Sequence, residues 1–477
     1  MSQEGIPRVN AGDISTTLKV RRGGKKLENK QKQDDLVQFL RAWEIYESVE
    51  AGTVEATFMF EDSAGISNIF TGSELITFTV KGSVLTRTYN LRSFNVHSRQ
   101  RINQTTDTFV VNCCSDEFVK NECTNVFGRS DTIFQDTEAS SIVKKLIKEQ
   151  QYLGSSKKIF AEETLTKHQF IAPNWRPMDT IYWVANRAVR KKKSGGKFQN
   201  GFTFYENALG YHFKSIDGMI DDINKQSVKT KTDLNKGTSR LYEYLFSPKK
   251  TDDGSNDQFK IDTIQFPEER NFLMGLRHGA WSGFGMGIDP TDIAFSKMGG
   301  DTVDLPLNKD PYSLSTSWSQ MSHLGKKKAV NPISRVGEDY KTLVEAPRRM
   351  RYSVIPRRIF DVKKNVVQQV KDKVGTFISG EEPKPGNTYA ELVELQSYQF
   401  LRIESMKNTQ LQISVPGNLD LYAGSGVSVT IPTTEKSGDK IETDKQFSGR
   451  YMIVTLAHKG TPDTMSTEML LMKDTVL

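Results

Sequence analysis

Two blocks of period-two alternation, one near each end of the 477-residue chain, limit the folds it can adopt. In the first block, "VEATFMFED" (54–62) sets Val54, Ala56, Phe58 and Phe60 on one face. "SNIFTGSELITFTV" breaks at a turn over Thr71–Ser73 and alternates again from Leu75 to Val80, and "VLTRTYNLRSFNV" and "TDTFVVNCC" give two longer strands around the loop "RQRINQTT". The second block holds "QLQISVPG", "GVSVTIP", "GRYMIVTLAH" and "MSTEMLLMKD". Alternation at period two gives a strand one buried and one open face. Short links between successive strands make antiparallel pairing the default. Tyr451, Ile453, Leu456, Met469 and Leu471 are therefore expected inside, and His458 is expected to have no catalytic partner. No sequence repeat relates the two blocks.

Between the blocks the period changes. "DTEASSIVKKLIKEQ" carries Ile142, Val143, Leu146 and Ile147 on one helical stripe, with Asp136 or Thr137 as N-cap. "APNWRPMDTIYWVANRAV" has Pro177 in a first helical turn, followed by Met178, Ile181, Tyr182, Ala185, Ala188 and Val189 at helical spacing. Trp175 and Trp183 read as packing residues. "GFTFYENALGYHFKSI" reads as a hairpin with Phe202, Phe204, Tyr211 and Phe213. Residues 247–388 mix polar loops, the Gly-rich "WSGFGMGID", the basic "APRRMRYSVIPRRIF" and an amphipathic "DVKKNVVQQVKDKV". Residues 1–35, ending in "RRGGKKLENKQKQDD", read as a mobile arm that orders against a neighbour.

Little in the sequence points to chemistry. The six histidines (His97, His168, His212, His278, His323 and His458) include no two within ten residues, so no HExxH-like metal pattern exists. GxSxG and CxxC are missing, and "RKKKSGGK" (190–197) lacks the first glycine of a phosphate loop. "WSGFGMG" lacks the strand-before, helix-after setting of a dinucleotide site. Asp221–Asp222 and Asp252–Asp253 read as ordinary loop acids. Cys113, Cys114 and Cys123 are spaced wrongly for a four-ligand zinc site and read as reduced thiols. The sequence thus assigns no catalytic, cofactor-binding or metal residue, no cofactor and no enzymatic activity. A net charge of +7, from 65 basic and 58 acidic residues, is a mild excess that does not by itself mark a nucleic-acid binder. No apolar run reaches a membrane span, and the N-terminus lacks the apolar core of a secretion signal.

The closing "SGRYMIVTLAHKGTPDTMSTEMLLMKD" resembles the final strand pair of baseplate hub proteins from contractile-tailed bacteriophages, the T-even-like hub family. "ISVPGNLDLYAGSGVSVTIP" resembles the strand pair before it, and "FMFEDSAGISNIFTGSELITFTV" resembles the family's first domain. "FIAPNWRPMDTIYWVANRAV" and "GFTFYENALGYHFKSIDGMI" resemble its helix and aromatic hairpin. The matches follow the family's order from about Val54 to Asp474, most weakly over 247–388.

The resemblance implies an α+β, mainly β chain with two tail-tube-like antiparallel β-barrel domains and mixed αβ insertions. It implies an arm over 1–40, a first tube-like domain over 41–125 and a mixed peripheral domain over 126–235. The second tube-like domain would comprise 236–275 and 390–477, around an insertion at 276–389. Three copies would form a ring adapting a sixfold tail tube to a threefold central spike and lining the DNA-ejection channel. The implied partners are two further copies of the chain, the spike, and the tail tube or its initiator. The tape-measure protein and baseplate wedge are candidates, and genomic DNA would be in transit. Such a protein resides in the virion baseplate after assembly in the host cytoplasm. Two other classes stay open on the residues alone. One is a nucleic-acid-binding virion protein using "RRGGKK", "RKKKSGGK" and "PRRMRYSVIPRR"; the other is a tail-associated cell-wall hydrolase.

Overall fold

The computed structural model describes residues 12–26, 34–68, 70–82, 85–127, 133–165, 167–191, 199–229, 240–247, 258–267, 271–288, 310–313, 336–346, 349–354, 398–404, 406–407, 409–433 and 442–474. The chain divides into two compact units, one formed by 1–188, 201–268 and 409–477, the other by 189–200 and 269–408.

The first unit is mainly β. Its N-terminal part holds β1 (Ser15–Arg22), β2 (Lys25–Lys26), β3 (Leu40–Ser48), β4 (Glu55–Asp62), β5 (Leu75–Lys81), β6 (Thr86–Arg101) and β7 (Asp107–Ser115). A mixed part follows: α1 (Asp116–Glu122), β8 (Ile133–Glu138), α2 (Ala139–Lys148), β9 (Ile159–Ala161), β10 (Lys167–Ile171), α3 (Pro177–Ala185), β11 (Phe202–Asn207), β12 (Gly210–Ser215), α4 (Ile216–Lys225) and β13 (Ser227–Lys229). Next come β14 (Arg240–Leu245) and β15 (Thr263–Gln265). The second unit has α5 (Phe272–His278), β16 (Ser282–Ile288), β17 (Asp310–Ser313), α6 (Glu338–Glu345) and β18 (Met350–Val354), with β16 between β17 and β18. The first unit resumes with β19 (Gln410–Pro416), β20 (Gly426–Thr430), β21 (Gly449–Gly460) and β22 (Met465–Met472).

Fourteen strands of the first unit form one sheet. Within it, two sets of five strands share one order. The first runs β3-β4-β7-β6-β5 and the second β15-β19-β22-β21-β20, every neighbour antiparallel. The sixth strand is β1 beside β5 in the first set, antiparallel, and β14 beside β20 in the second, parallel. The correspondence extends to single residues. β6 is bulged against β7 between Ser93 and Asn95, and β21 against β22 between Ile453 and Thr455. Just before each bulge, Ser93 N–H donates to Glu74 O at 2.8 Å, and Ile453 N–H donates to Ser425 O at 2.8 Å.

Each set has its own core. Trp43, Phe58, Phe60, Phe78 and Phe109 are buried in the first, with Trp43 and Phe58 both 5.1 Å from Phe78. Tyr244, Leu411, Ile413, Tyr451, Ile453, Met469 and Leu471 are buried in the second. The five C-terminal residues expected inside are all buried. A third core joins α2 and α3 to the β11–β12 hairpin through Ile142, Leu146, Ile181, Phe204 and Tyr211. Each fully buried large apolar side chain adds roughly 1.5–3 kcal/mol.

Several expectations need correction. Residues 15–22, placed by sequence in a mobile arm, form β1 and pair with β5 from Ser15 to Arg21. Thr16, Leu18 and Val20 alternate inward and are buried, so seven residues of backbone pairing and apolar burial offset the cost of ordering this stretch. Residues 1–11 and 27–33 lie outside the described residues. Neither strand set closes into a barrel by continuous pairing. In the first, β1 meets the segment before β3 through one bridge, Lys19 to Asp35, and Leu36 N–H donates to Leu18 O at 2.8 Å. In the second, Leu245 bridges Lys260. α2 begins at Ala139 with Glu138 as its N-cap, one residue after Thr137 and two after Asp136, because Ile133–Glu138 is drawn into pairing with β10. α3 ends at Ala185, short of Val189. Asp221 and Asp222 lie on α4, not in a loop. The amphipathic stretch "DVKKNVVQQVKDKV" falls outside the described residues.

Candidate functional site

The sheet runs without interruption from one strand set into the other because β21 is long enough to serve both. Along one edge, Gly449–Met452 pair with β20, and beyond the bulge Thr455–Gly460 pair with β3 of the first set. This β21–β3 seam merges the outward faces of the two sets. Strand register lines up Ser466, Lys459, Glu44, Thr57, Asn112 and Asn95 as one row crossing six strands. Hydroxyls and amides dominate the first set's part of this face. Thr57 Oγ1 lies 3.3 Å from Asn112 Oδ1, Thr77 Oγ1 3.0 Å from Asn90 Oδ1, and Thr79 and Thr88 share a 3.0 Å hydroxyl contact.

Several charges on this face are held in opposite-sign pairs. At the seam, Lys459 Nζ lies 2.8 Å from Glu468 and 3.8 Å from Glu44. The Tyr46 hydroxyl donates to the Glu44 carboxylate. Burial, with Glu44 adding to it, pushes the Tyr46 phenol up to about 12. Arg41 sits 2.7 Å from Glu61, and Arg92 2.6 Å from Asp116. Exposed pairs of this kind contribute only about 0–1 kcal/mol each to stability. Their larger effect is to cancel the local field around each pair.

Behind the seam lies a buried polar junction. Glu47 of β3 accepts from Ala208 N–H at 2.7 Å, at the β11–β12 turn, and from Ala423 N–H at 3.0 Å, in the loop before β20. One carboxylate thereby ties three parts of the unit together. Burial raises its pKa from 4.5 to about 7, against the two backbone bonds, which favour the charge. Asn207 donates to Ala423 O at 2.9 Å and contacts His212 Nε2 at 2.9 Å. Gly424 has φ +81°, and a Cβ there would collide with the Tyr205 hydroxyl. Nearby, Lys157 lies 2.6 Å from both Glu117 and Glu206, which hold it protonated against the cost of burial.

The histidines are scattered. His212 is stacked between Phe160 and Tyr205, and His458 faces Thr467 Oγ1 at 3.0 Å. Burial lowers both to about 3, so both are neutral. His97 is exposed on β6, beside Ser98 and Asn112, and His278 ends α5. His323 lies outside the described residues. Among the described residues no group of three His, Cys, Asp or Glu side chains could hold a metal ion. Cys113 and Cys114 are buried on β7, where burial raises both thiols, Cys114 to about 12. Trp175 and Trp183 pack together at 5.7 Å. Of the basic runs, "RRGGKK" is the β1–β2 hairpin, with Arg22 2.7 Å from Glu74 and Lys26 2.9 Å from Asp34. Most of "RKKKSGGK" lies outside the described residues, as do the ends of "PRRMRYSVIPRR". Neither the Glu47 junction nor the shared seam leaves a mark in the local sequence pattern.

No family model matches the chain, and no curated protein matches it in sequence. Solved structures do. The tail protein from Neisseria meningitidis MC58 is similar with a TM-score of 0.50 and 9% identity, over 96% of this chain and 97% of that one. The 43 kDa tail protein of prophage MuSo2 from Shewanella oneidensis is similar with a TM-score of 0.48 and 10% identity, over 96% of this chain and 98% of its own. At 9% identity the first likeness is one of fold alone, extending over nearly the whole length of both chains.

Proposed function

We propose that this chain is a structural subunit of a phage tail tip, the baseplate hub of a contractile tail. In this reading three copies form a ring between a sixfold tail tube and a threefold central spike, and the ring lines the channel through which DNA leaves. The observation that carries the reading is the duplicated strand register, β3-β4-β7-β6-β5 and β15-β19-β22-β21-β20, within one chain. Three copies of a chain with two such sets present six similar surfaces while keeping threefold symmetry. A closed ring satisfies each subunit's contacts and stops growth at a fixed number.

The paired charges and neutral hydroxyls of the shared face fit a channel wall that DNA can pass without being held. In domain terms, 41–125 joined by β1 forms the first tube-like domain. The second is built from 236–275 and 390–477, the mixed region 126–235 lies at the periphery, and 276–389 is an insertion. The partners are the spike, the tube or its initiator, and, through the insertion, the tape-measure protein or wedge. The role needs no catalytic residue and no cofactor. Mass measurement of the chain co-assembled with its tail's spike tests this. Three chains per spike trimer is the expected result; any other ratio contradicts it.

A further inference from the structure

We propose that the far half of β6 pairs with the outer edge of β15 on a second copy of this chain. This junction would reproduce between chains the β21–β3 seam found within one. The inference deepens the ring reading and rests on it, by naming the edges that join neighbours.

The argument is one of register. Through their pairing with β7 and β22, Asn95, His97 and Gln100 of β6 stand where Thr455, Ala457 and Lys459 stand in β21, although β6 carries a second bulge between His97 and Gln100 that β21 lacks. Through β4 and β19, Gln265 of β15 stands where Glu44 stands in β3. In the second set, β21 beyond its bulge pairs with β3. In the first set, β6 pairs with β5 only as far as Arg92 and then runs on to Arg101. Among the described residues, no strand pairs with that edge of β6 beyond Arg92, nor with the edge of β15 away from β19. An open edge of this length is a template for strand addition.

Side-chain exposure follows the same correspondence. Val454, the extra residue in the β21 bulge, is 7% exposed, and its counterpart Phe94 in the β6 bulge is 53% exposed. Phe266, one residue after Gln265, is 49% exposed with its ring against Phe447 at 4.6 Å. Each copy carries one edge of each kind, so the joint between copies is a head-to-tail contact from which a ring closes.

Lys459 faces Glu44 across the known seam, so the counterpart pair is Gln100 and Gln265. The test is disulfide trapping in the full-length chain with the exposed Cys123 changed to Ser, using Q100C/Q265C and a second pair, H97C/P267C. Melting curves confirm that each variant folds, and native mass spectrometry reads oligomer state before oxidation. The expected result is a covalent three-chain species from either double variant and none from a single variant. Mixed single variants should give only dimers. Three-chain oligomers by mass that no pair cross-links would overturn the edge assignment and leave the ring reading standing. Cross-linked chains that grow without closing at three would keep the edges and overturn the ring. Absence of self-association at every concentration contradicts both.

Discussion

Glu47 offers the most quantitative test of how the three parts of the first unit are held together. Its carboxylate is buried, accepts from Ala208 and Ala423, and has a pKa raised from 4.5 to about 7. Glu206 adds to the rise and Arg87 opposes it. A carboxyl that holds its proton more tightly when folded stabilises the fold fully below its unfolded pKa. That contribution is lost as pH climbs through the folded value, because the unfolded chain gives up the proton first. The window is therefore about pH 4.5 to 7, and the loss, at 1.36 kcal/mol per pH unit, is about 3 kcal/mol. Glu47→Gln does not titrate, but its amide nitrogen cannot accept, so one of the Ala208 and Ala423 N–H groups loses its partner at every pH. Urea unfolding of both proteins at pH 4, 6 and 8 isolates the effect, since other titrations are shared. The variant should be about 1–3 kcal/mol less stable than the natural protein at pH 4, for the orphaned N–H, and gain on it by about 3 kcal/mol between pH 4 and pH 8. A constant difference across pH, or one moving the other way, would refute the account of this junction.

Three further outcomes are expected. Removing everything after Phe447 deletes β21 and β22, and β21 pairs with β20, β22 and β3; soluble folded protein should be lost, as read by expression and circular dichroism. Lys157→Met leaves Glu117 and Glu206 without their shared cation and should cost about 3–5 kcal/mol in denaturant unfolding, far more than replacing the exposed Arg41. Fluorescence anisotropy with duplex DNA at 150 mM salt should give affinity no tighter than the roughly 10⁻⁴–10⁻⁶ M of non-specific binding, whereas a nucleic-acid-binding protein would bind more tightly.

The strands were legible where side chains carry the signal. Phe58 and Phe60, or Ile453 and Met469, alternate with polar neighbours because each strand has one wet face. The internal duplication was not legible, because it resides in hydrogen-bond register. Asn112 corresponds to Leu470, Thr57 to Gln412 and Glu44 to Gln265, and no pair is identical. Backbone N–H and C=O groups pair in the same way whichever side chains they carry, so the repeat outlasts the loss of sequence likeness. β1 was missed because a short run, Thr16 to Val20, is flanked by arginines, glycines and lysines that suggest an arm. The Glu47 junction was hidden for a third reason: its donors lie 161 and 376 residues away, and local pattern carries no information about such contacts.

The central claim is that one chain supplies two of six similar positions around a tail axis. A reconstruction of the parent particle's tail tip, with symmetry left free below the tube, measures this directly. The account predicts three copies of the chain and six five-stranded sets around the channel, with β21–β3 seams alternating with seams between chains. Six copies of the chain, or sets that do not alternate around one ring, would contradict it.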